Sequence, residues 1–193
     1  MGHLRLFARG LALLGAAGLL GACAHTYVAL EPEPAFPVCS PGASSLILWT
    51  PAWRDDQKDR AGRKAAAAMG LHQFFGMPGC FAQAEVRQVT DLTPASVAVA
   101  LADTPRAVQR VVGIEVRELG PVVRLPSSRA LVEGATEVVL RVAEYAPYSS
   151  AELHAFVIHW REGGPGVLKG AASLPQDMQA ALKAGLQAGA VVR

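Results

Sequence analysis

Three segments in the C-terminal half of this sequence place apolar residues at every second position. Val112, Ile114 and Val116 alternate with Gly113 and Glu115, and Val138, Leu140 and Val142 lie between Glu137 and Arg141. Phe156, Ile158 and Trp160 repeat the pattern, with His159 on the other side. Side chains alternate across a strand, so each segment presents one apolar and one polar face. Three half-buried strands in succession predict an antiparallel meander whose apolar face needs a cover.

The rest of the chain supplies that cover. Ser45-Leu-Ile-Leu-Trp49-Thr reads as a buried strand ending at Pro51. Residues 54–75 are rich in helix formers, carry Asp55, Asp56 and Asp59 early and stop near Gly76 and Pro78, which predicts a helix. A short strand follows over Glu85–Val89. Thr93-Pro94 then offers an N-cap with proline at the first helical position, opening a helix over 95–101. Gly163-Gly-Pro-Gly166 breaks the last strand. Ser173-Leu-Pro-Gln176 resembles a capping box, and Met178, Ala181, Leu182 and Leu186 share a face of a final helix. The expected order is β-α-β-α-β-β-β-α, an α+β fold with a mixed sheet and its helices on one face.

The N-terminus has a different character. Arg5 and Arg9 precede an uncharged stretch, Gly10 to Ala22, shorter than the roughly 18 apolar residues that span a bilayer as a helix. Four glycines weaken it further as a permanent helix, so it reads as a signal peptide. It ends in Leu20-Gly21-Ala22-Cys23, an aliphatic residue, two small ones and a cysteine. This resembles the lipobox of bacterial lipoproteins. The resemblance implies that Cys23 is acylated with diacylglycerol, that the chain is cut before it, and that the new amine is acylated in turn. Two or more acyl chains hold a protein stably at a membrane where one does not. The alternative is an ordinary secretory signal with a chance cysteine; the place of Cys23, at the end of the apolar region, favours the lipobox. Ala24 stands where an aspartate resembles an inner-membrane retention signal in enteric bacteria. The expected location is therefore the periplasmic face of the outer membrane, with the inner membrane as the alternative.

Removing residues 1–22 takes away two of the 18 basic residues and none of the 16 acidic ones, so the formal charge falls from +2 to zero. No basic excess remains to suggest nucleic acid. The remaining 171 of 193 residues suit one domain, expected over 45–193. Residues 23–44 read as the acylated N-terminus and a tether, because Glu31-Pro-Glu-Pro-Ala-Phe-Pro37 favours extended conformations. In an oxidising periplasm Cys39 and Cys80 are most simply a disulfide. There is no Cys-x-x-Cys and no neighbouring histidine to argue for a reactive thiol. Each cysteine precedes a predicted strand, and a helical crossover joins the two strands. If these strands run parallel, both cysteines fall at the same end of the sheet.

Acylated N-terminus, Pro-rich tether and element order together resemble small periplasmic lipoproteins with a TolB-N-terminal-like domain. These include the auxiliary lipoproteins of ABC-type lipid transport, the Lpo activators of peptidoglycan synthases and the CsgG-type secretion proteins. The resemblance covers most of 45–187 at the level of element order and implies an accessory role without carrying over binding residues.

Reaction chemistry is hard to assemble from these residues. The histidines beyond the leader are His25, His72, His154 and His159, without a His-Glu-x-x-His, and His154 and His159 face opposite sides of one strand. No metal or cofactor is expected. There is no Gly-x-Ser-x-Gly, no phosphate loop follows Gly163, and Asp55, Asp56 and Asp59 lack calcium-loop spacing. Trp49-Thr-Pro-Ala-Trp53-Arg54 puts two tryptophans and an arginine at a strand exit, and such residues are frequent in binding hot spots. Trp49 is expected in the core and Trp53, with Arg54, at the surface. Tyr145-Ala-Pro-Tyr148 is a second aromatic candidate, through Tyr145 and Tyr148. The expected function is a non-enzymatic, membrane-anchored accessory or scaffold protein that binds an envelope protein partner. The rival readings are an envelope hydrolase, which needs a polar cleft with convergent titratable groups, and a carrier of lipid or another small ligand, which needs an apolar cavity.

Overall fold

The computed structural model describes residues 24–34, 37–124, 133–165, 167 and 169–187. Strands β1 (His25–Glu31), β2 (Ser40–Pro51), β3 (Phe81–Gln88), β4 (Arg110–Arg124), β5 (Glu133–Tyr145) and β6 (Glu152–Pro165) form one sheet, ordered β1-β6-β5-β4-β2-β3. Helices α1 (Arg60–Gly76), α2 (Pro94–Ala102) and α3 (Leu174–Leu186) complete the fold, with a single 3-10 turn at Ala171–Ser173. The fold is α+β, and the sheet is mixed: β4, β5, β6 and β1 are antiparallel neighbours, while β2 runs parallel to both β3 and β4. The signal peptide and Cys23 lie outside the described residues.

The alternating segments behave as their pattern requires. Val112, Ile114, Val116, Val138, Leu140, Val142, Phe156, Ile158 and Trp160 all fall in the main core. There they meet Leu71, Phe74 and Phe75 of α1 and Met178, Leu182 and Leu186 of α3. Helices α1 and α3 cross closely because Gly70 leaves room: a Cβ there would lie 2.6 Å from Met178 Cβ and 2.8 Å from the Pro175 carbonyl. The residues of β2 divide between the faces, Ile47 and Trp49 joining this core while Leu46 and Leu48 point to the other side.

That other side corrects the expectation that all helices share one face. α2 packs there, through Val97 and Ala100 against Leu46, Leu48, Val111, Ala143 and Tyr145. A strand buried on both faces needs cover on both, and the continuous Leu46-Ile-Leu48 run carried that requirement.

A second correction concerns the segment read as a tether. Residues 25–31 form β1, the edge strand against β6, with His25 opposite Gly163 and Glu31 opposite Val157. His-Thr-Tyr-Val-Ala-Leu is a β-prone stretch, and Leu30 packs against the core. The prolines that follow, at 32, 34 and 37, do mark a break, since β2 begins only at Ser40.

Several helix ends also differ. α1 starts at Arg60, with Asp59 as its N-cap accepting from the Gly62 amide, so Asp55 and Asp56 lie outside the helix. The Thr93 cap of α2 holds, with Pro94 in the first turn. The capping box at α3 does not form: the Ser173 hydroxyl donates to Asp177 Oδ2 (2.8 Å) instead. Asp177 is buried, and Lys169 lies 3.0 Å from it and also contacts Glu162. Burial works against the Lys169 charge, but hydrogen bonds with Glu162 and Asp177 outweigh it and hold the ammonium above its usual range.

Candidate functional site: an open sheet face beside the N-terminus

The residues singled out by sequence go to four different places. Cys39 and Cys80 are joined, with Cα atoms 4.4 Å apart. They precede the paired residues Ser40 and Phe81 at the same end of parallel strands. Trp49 is buried, as expected, whereas Trp53 is half-buried and packs against the main core. Arg54 is largely exposed and reaches Glu118 Oε2 at 3.2 Å. Glu118 also pairs with Arg63, so Arg54 helps to fasten the β2–α1 loop to β4. Tyr145 does not lie on the surface: it is 2 % exposed, and its hydroxyl donates to the Leu92 carbonyl at 2.9 Å. Burial, more than the nearby Glu152, raises its pKa. Gly113 stands beside it because a Cβ there would come within 2.8 Å of Tyr145 Cε2. Tyr148, three residues on, is fully exposed at the tip of the β5–β6 hairpin. Ser150, with φ 56, closes that turn, its amide donating to the Ala146 carbonyl.

The structure brings together a set of residues that sequence reading left scattered. The cluster under helix α2 covers β2 and the hairpin-side parts of β4, β5 and β6. Along β5, β6 and β1 the same face continues as cross-strand rows without a helix on it among the described residues. Glu137, Arg161 and Tyr27 form one row; Val139, His159 and Ala29 form the next; Arg141, Val157 and Glu31 form a third. Tyr27, Ala29, Glu31, Glu137, His159 and Arg161 line a shallow depression of about 310 Å³. Tyr27 is 63 % exposed within it.

The electrostatics of this depression differ from those of the rest of the sheet. Arg87 pairs with Glu85, Arg110 with Glu144, Arg117 with Glu115 and Arg141 with Glu152. The Arg141 charge is held above its usual range, mainly by the hydrogen bond with Glu152. The ion pairs found among the described residues do not include Arg161, Glu137 or Glu31, although Arg161 and Glu137 stand opposite each other. Half-buried Glu137 and Arg161 and exposed Glu31, without an ion pair among the described residues and beside an exposed aromatic, are available to a ligand. Glu137 and His159 already stood on the polar side of their strands in the sequence pattern. Tyr27 and Glu31 lay in the segment read as a tether, so no pattern linked them to the others.

A second hollow of about 390 Å³ lies between the helices, lined by Phe74, Met77, Pro78, Cys80, Gln179, Lys183 and neighbouring residues. No group of three or more His, Cys, Asp or Glu placed to hold a metal ion occurs among the described residues. No described helix is long and apolar enough to cross a membrane.

No family model matches the sequence, and no curated protein matches it. Solved structures with similar backbones include the PelC dodecamer from Paraburkholderia phytofirmans, at 14 % identity and TM-score 0.46, covering 85 % of this chain and 99 % of that one. Lipoprotein GNA1162 from Neisseria meningitidis matches at 12 % identity and TM-score 0.34, over 72 % of this chain and 96 % of that one. Protein XCC0632 from Xanthomonas campestris matches at 16 % identity and TM-score 0.30, over 81 % and 85 %.

Proposed function

We propose that this protein is a lipid-anchored accessory protein of the bacterial envelope, held at the periplasmic face of the outer membrane and binding a protein partner at its far end. The observation that carries the reading is the position of β1. Its first residue, His25, lies two residues after Cys23, the last residue of the lipobox. Two residues span at most about 7 Å, so an acylated Cys23 holds the membrane surface against one end of the sheet rather than at the end of a long tether. The β5–β6 hairpin is at the opposite end. Strand β6 has 14 residues, which at about 3.3 Å each separates the two ends by roughly 45 Å.

The hairpin tip offers what a partner site needs. Tyr148 is exposed on a tight, internally hydrogen-bonded turn and Leu153 at the adjoining start of β6, so their order costs little on binding. Arg54 lies away from this tip, beside Glu118 of β4, and Trp53 and Tyr145 serve the core. The experiment is site-specific photo-crosslinking in cells from position 148, with Tyr27 as the membrane-proximal control. A single stoichiometric envelope protein captured from 148 and not from 27, and lost on Leu153→Asp, supports the reading. Absence of any specific product from 148 overturns the partner assignment.

A further inference from the structure

We propose that the depression on the open sheet face binds the headgroup of a bilayer lipid of the phosphoethanolamine type, and that its occupancy clamps β1 onto the sheet. The inference rests on the anchoring of Cys23 and goes beyond it, since an anchor alone requires no headgroup site.

Three observations carry it. The first is charge. Arg161 and the Tyr27 hydroxyl are donors suited to a phosphodiester, and Glu137 and Glu31 are acceptors suited to an ammonium. Counting His159 as neutral, Glu31, Glu137 and Arg161 sum to −1, which disfavours a purely anionic headgroup and favours one that carries an amine. The second is the contrast with Arg87, Arg110, Arg117 and Arg141, all paired within the protein, while no ion pair of Arg161 occurs among the described residues. The third is position. Tyr27 lies two residues into β1, so by chain reach alone it is within about 14 Å of Cys23, with Arg161 and Glu137 one and two strands farther, at about 4.8 Å per strand. The end of the sheet that Cys23 holds at the membrane is therefore the end that carries Tyr27, close to the headgroups of lipids around the anchor. Tyrosine is also favoured at that depth of the interface.

The clamping follows from who builds the walls. Tyr27, Ala29 and Glu31 belong to β1, while His159, Arg161 and Glu137 belong to β6 and β5. Strand β1 is an edge strand of seven residues, five of them exposed, so it opens more readily than the strands it lies beside. A ligand bridging the two walls holds it shut.

The test uses the mature acylated protein in lipid nanodiscs of phosphatidylcholine, alone or with phosphatidylethanolamine or phosphatidylglycerol. The readout is amide hydrogen exchange of residues 25–31, with β5 as the folding control. Phosphatidylethanolamine should slow β1 exchange by about tenfold relative to the other two. Arg161→Ala and Glu137→Gln should each remove the difference while leaving β5 exchange unchanged. Equal β1 exchange in all three lipids, or slowing that survives both substitutions, overturns the proposal. Slowing produced by soluble glycerophosphoethanolamine in phosphatidylcholine discs, at the same molar amount, overturns the bilayer as its source. The mass of the N-terminal peptide from the same sample reports acylation of Cys23, so a failed anchor is seen separately from a failed headgroup site.

Discussion

Cys39 and Cys80 are 41 residues apart in sequence, yet they lie at the entries to neighbouring parallel strands with Cα atoms 4.4 Å apart, one residue before the paired Ser40 and Phe81. The bond ties the entry of β2 to the end of the α1 crossover. Next to it, the Cys39 amide donates to the Leu186 carbonyl at the end of α3, so three elements meet at one covalent staple.

Its contribution follows from the loop it closes. The chain-entropy relation for a loop of this length gives about 4 kcal/mol, less whatever structure the reduced chain retains. Cys39→Ser with Cys80→Ser should therefore lower the unfolding free energy by about 2–4 kcal/mol in urea titrations. A change within about 0.5 kcal/mol would mean that the staple constrains little.

The α1–α3 crossing predicts a contrast between two glycines. At Gly70 a Cβ would press on Met178 and the Pro175 carbonyl, whereas at Gly76 it would meet nothing within 4 Å. Gly70→Ala should destabilise by about 1–3 kcal/mol despite its better helix propensity. Gly76→Ala should be neutral or stabilising. Urea midpoints of the two variants, measured side by side, check the packing.

Tyr145 and Tyr148 are separated by three positions and by their whole environment. Tyr145→Ala removes a buried ring and its bond to Leu92, and should cost about 3–5 kcal/mol. Tyr148→Ala should change stability by less than about 0.5 kcal/mol. Thermal melts separate these outcomes, and a large loss at 148 would show that the tip is part of the core.

Asp91 carries a signature in acid. Hydrogen bonds from the Ser96 hydroxyl, then from the Thr93 hydroxyl and amide, lower its pKa from 3.8 to about 2. A carboxylate held down in the folded state supports folding at pH values above its usual value, and that support is lost as pH falls toward 2. Asp91→Asn should lower stability in the neutral region and flatten the acid limb of a stability–pH profile, the two curves converging as pH falls toward 2. An unaltered acid limb would remove Asp91 from the account.

Much of the sheet was legible because period-two alternation is enforced by burial: a slip of one residue would turn Ile158 and Trp160 out to solvent. The parallel β2–β3 pair was legible for a similar reason, since the cysteines and the crossover agreed. Strand β1 was not, because three prolines immediately after it argued for a tether, and an edge strand with one core residue, Leu30, has little hydrophobic signal. The face taken by α2 was also hidden, since Leu46-Ile-Leu48 says that both sides are buried but not which helix covers which. The depression was illegible for a deeper reason. Tyr27, Glu137 and Arg161 meet only through strand register, and β1 and β5 are more than a hundred residues apart in the chain.

We propose that an acylated Cys23 fixes this domain to a membrane at the β1 end of its sheet. The most direct measurement is the intact mass of the protein extracted from membranes, with sequencing of its N-terminal peptide. The expected product is a chain that begins at Cys23, carries acyl groups on it, lacks residues 1–22 and partitions into detergent. An unmodified Cys23, a cut at another position or a chain found in the aqueous phase would contradict it.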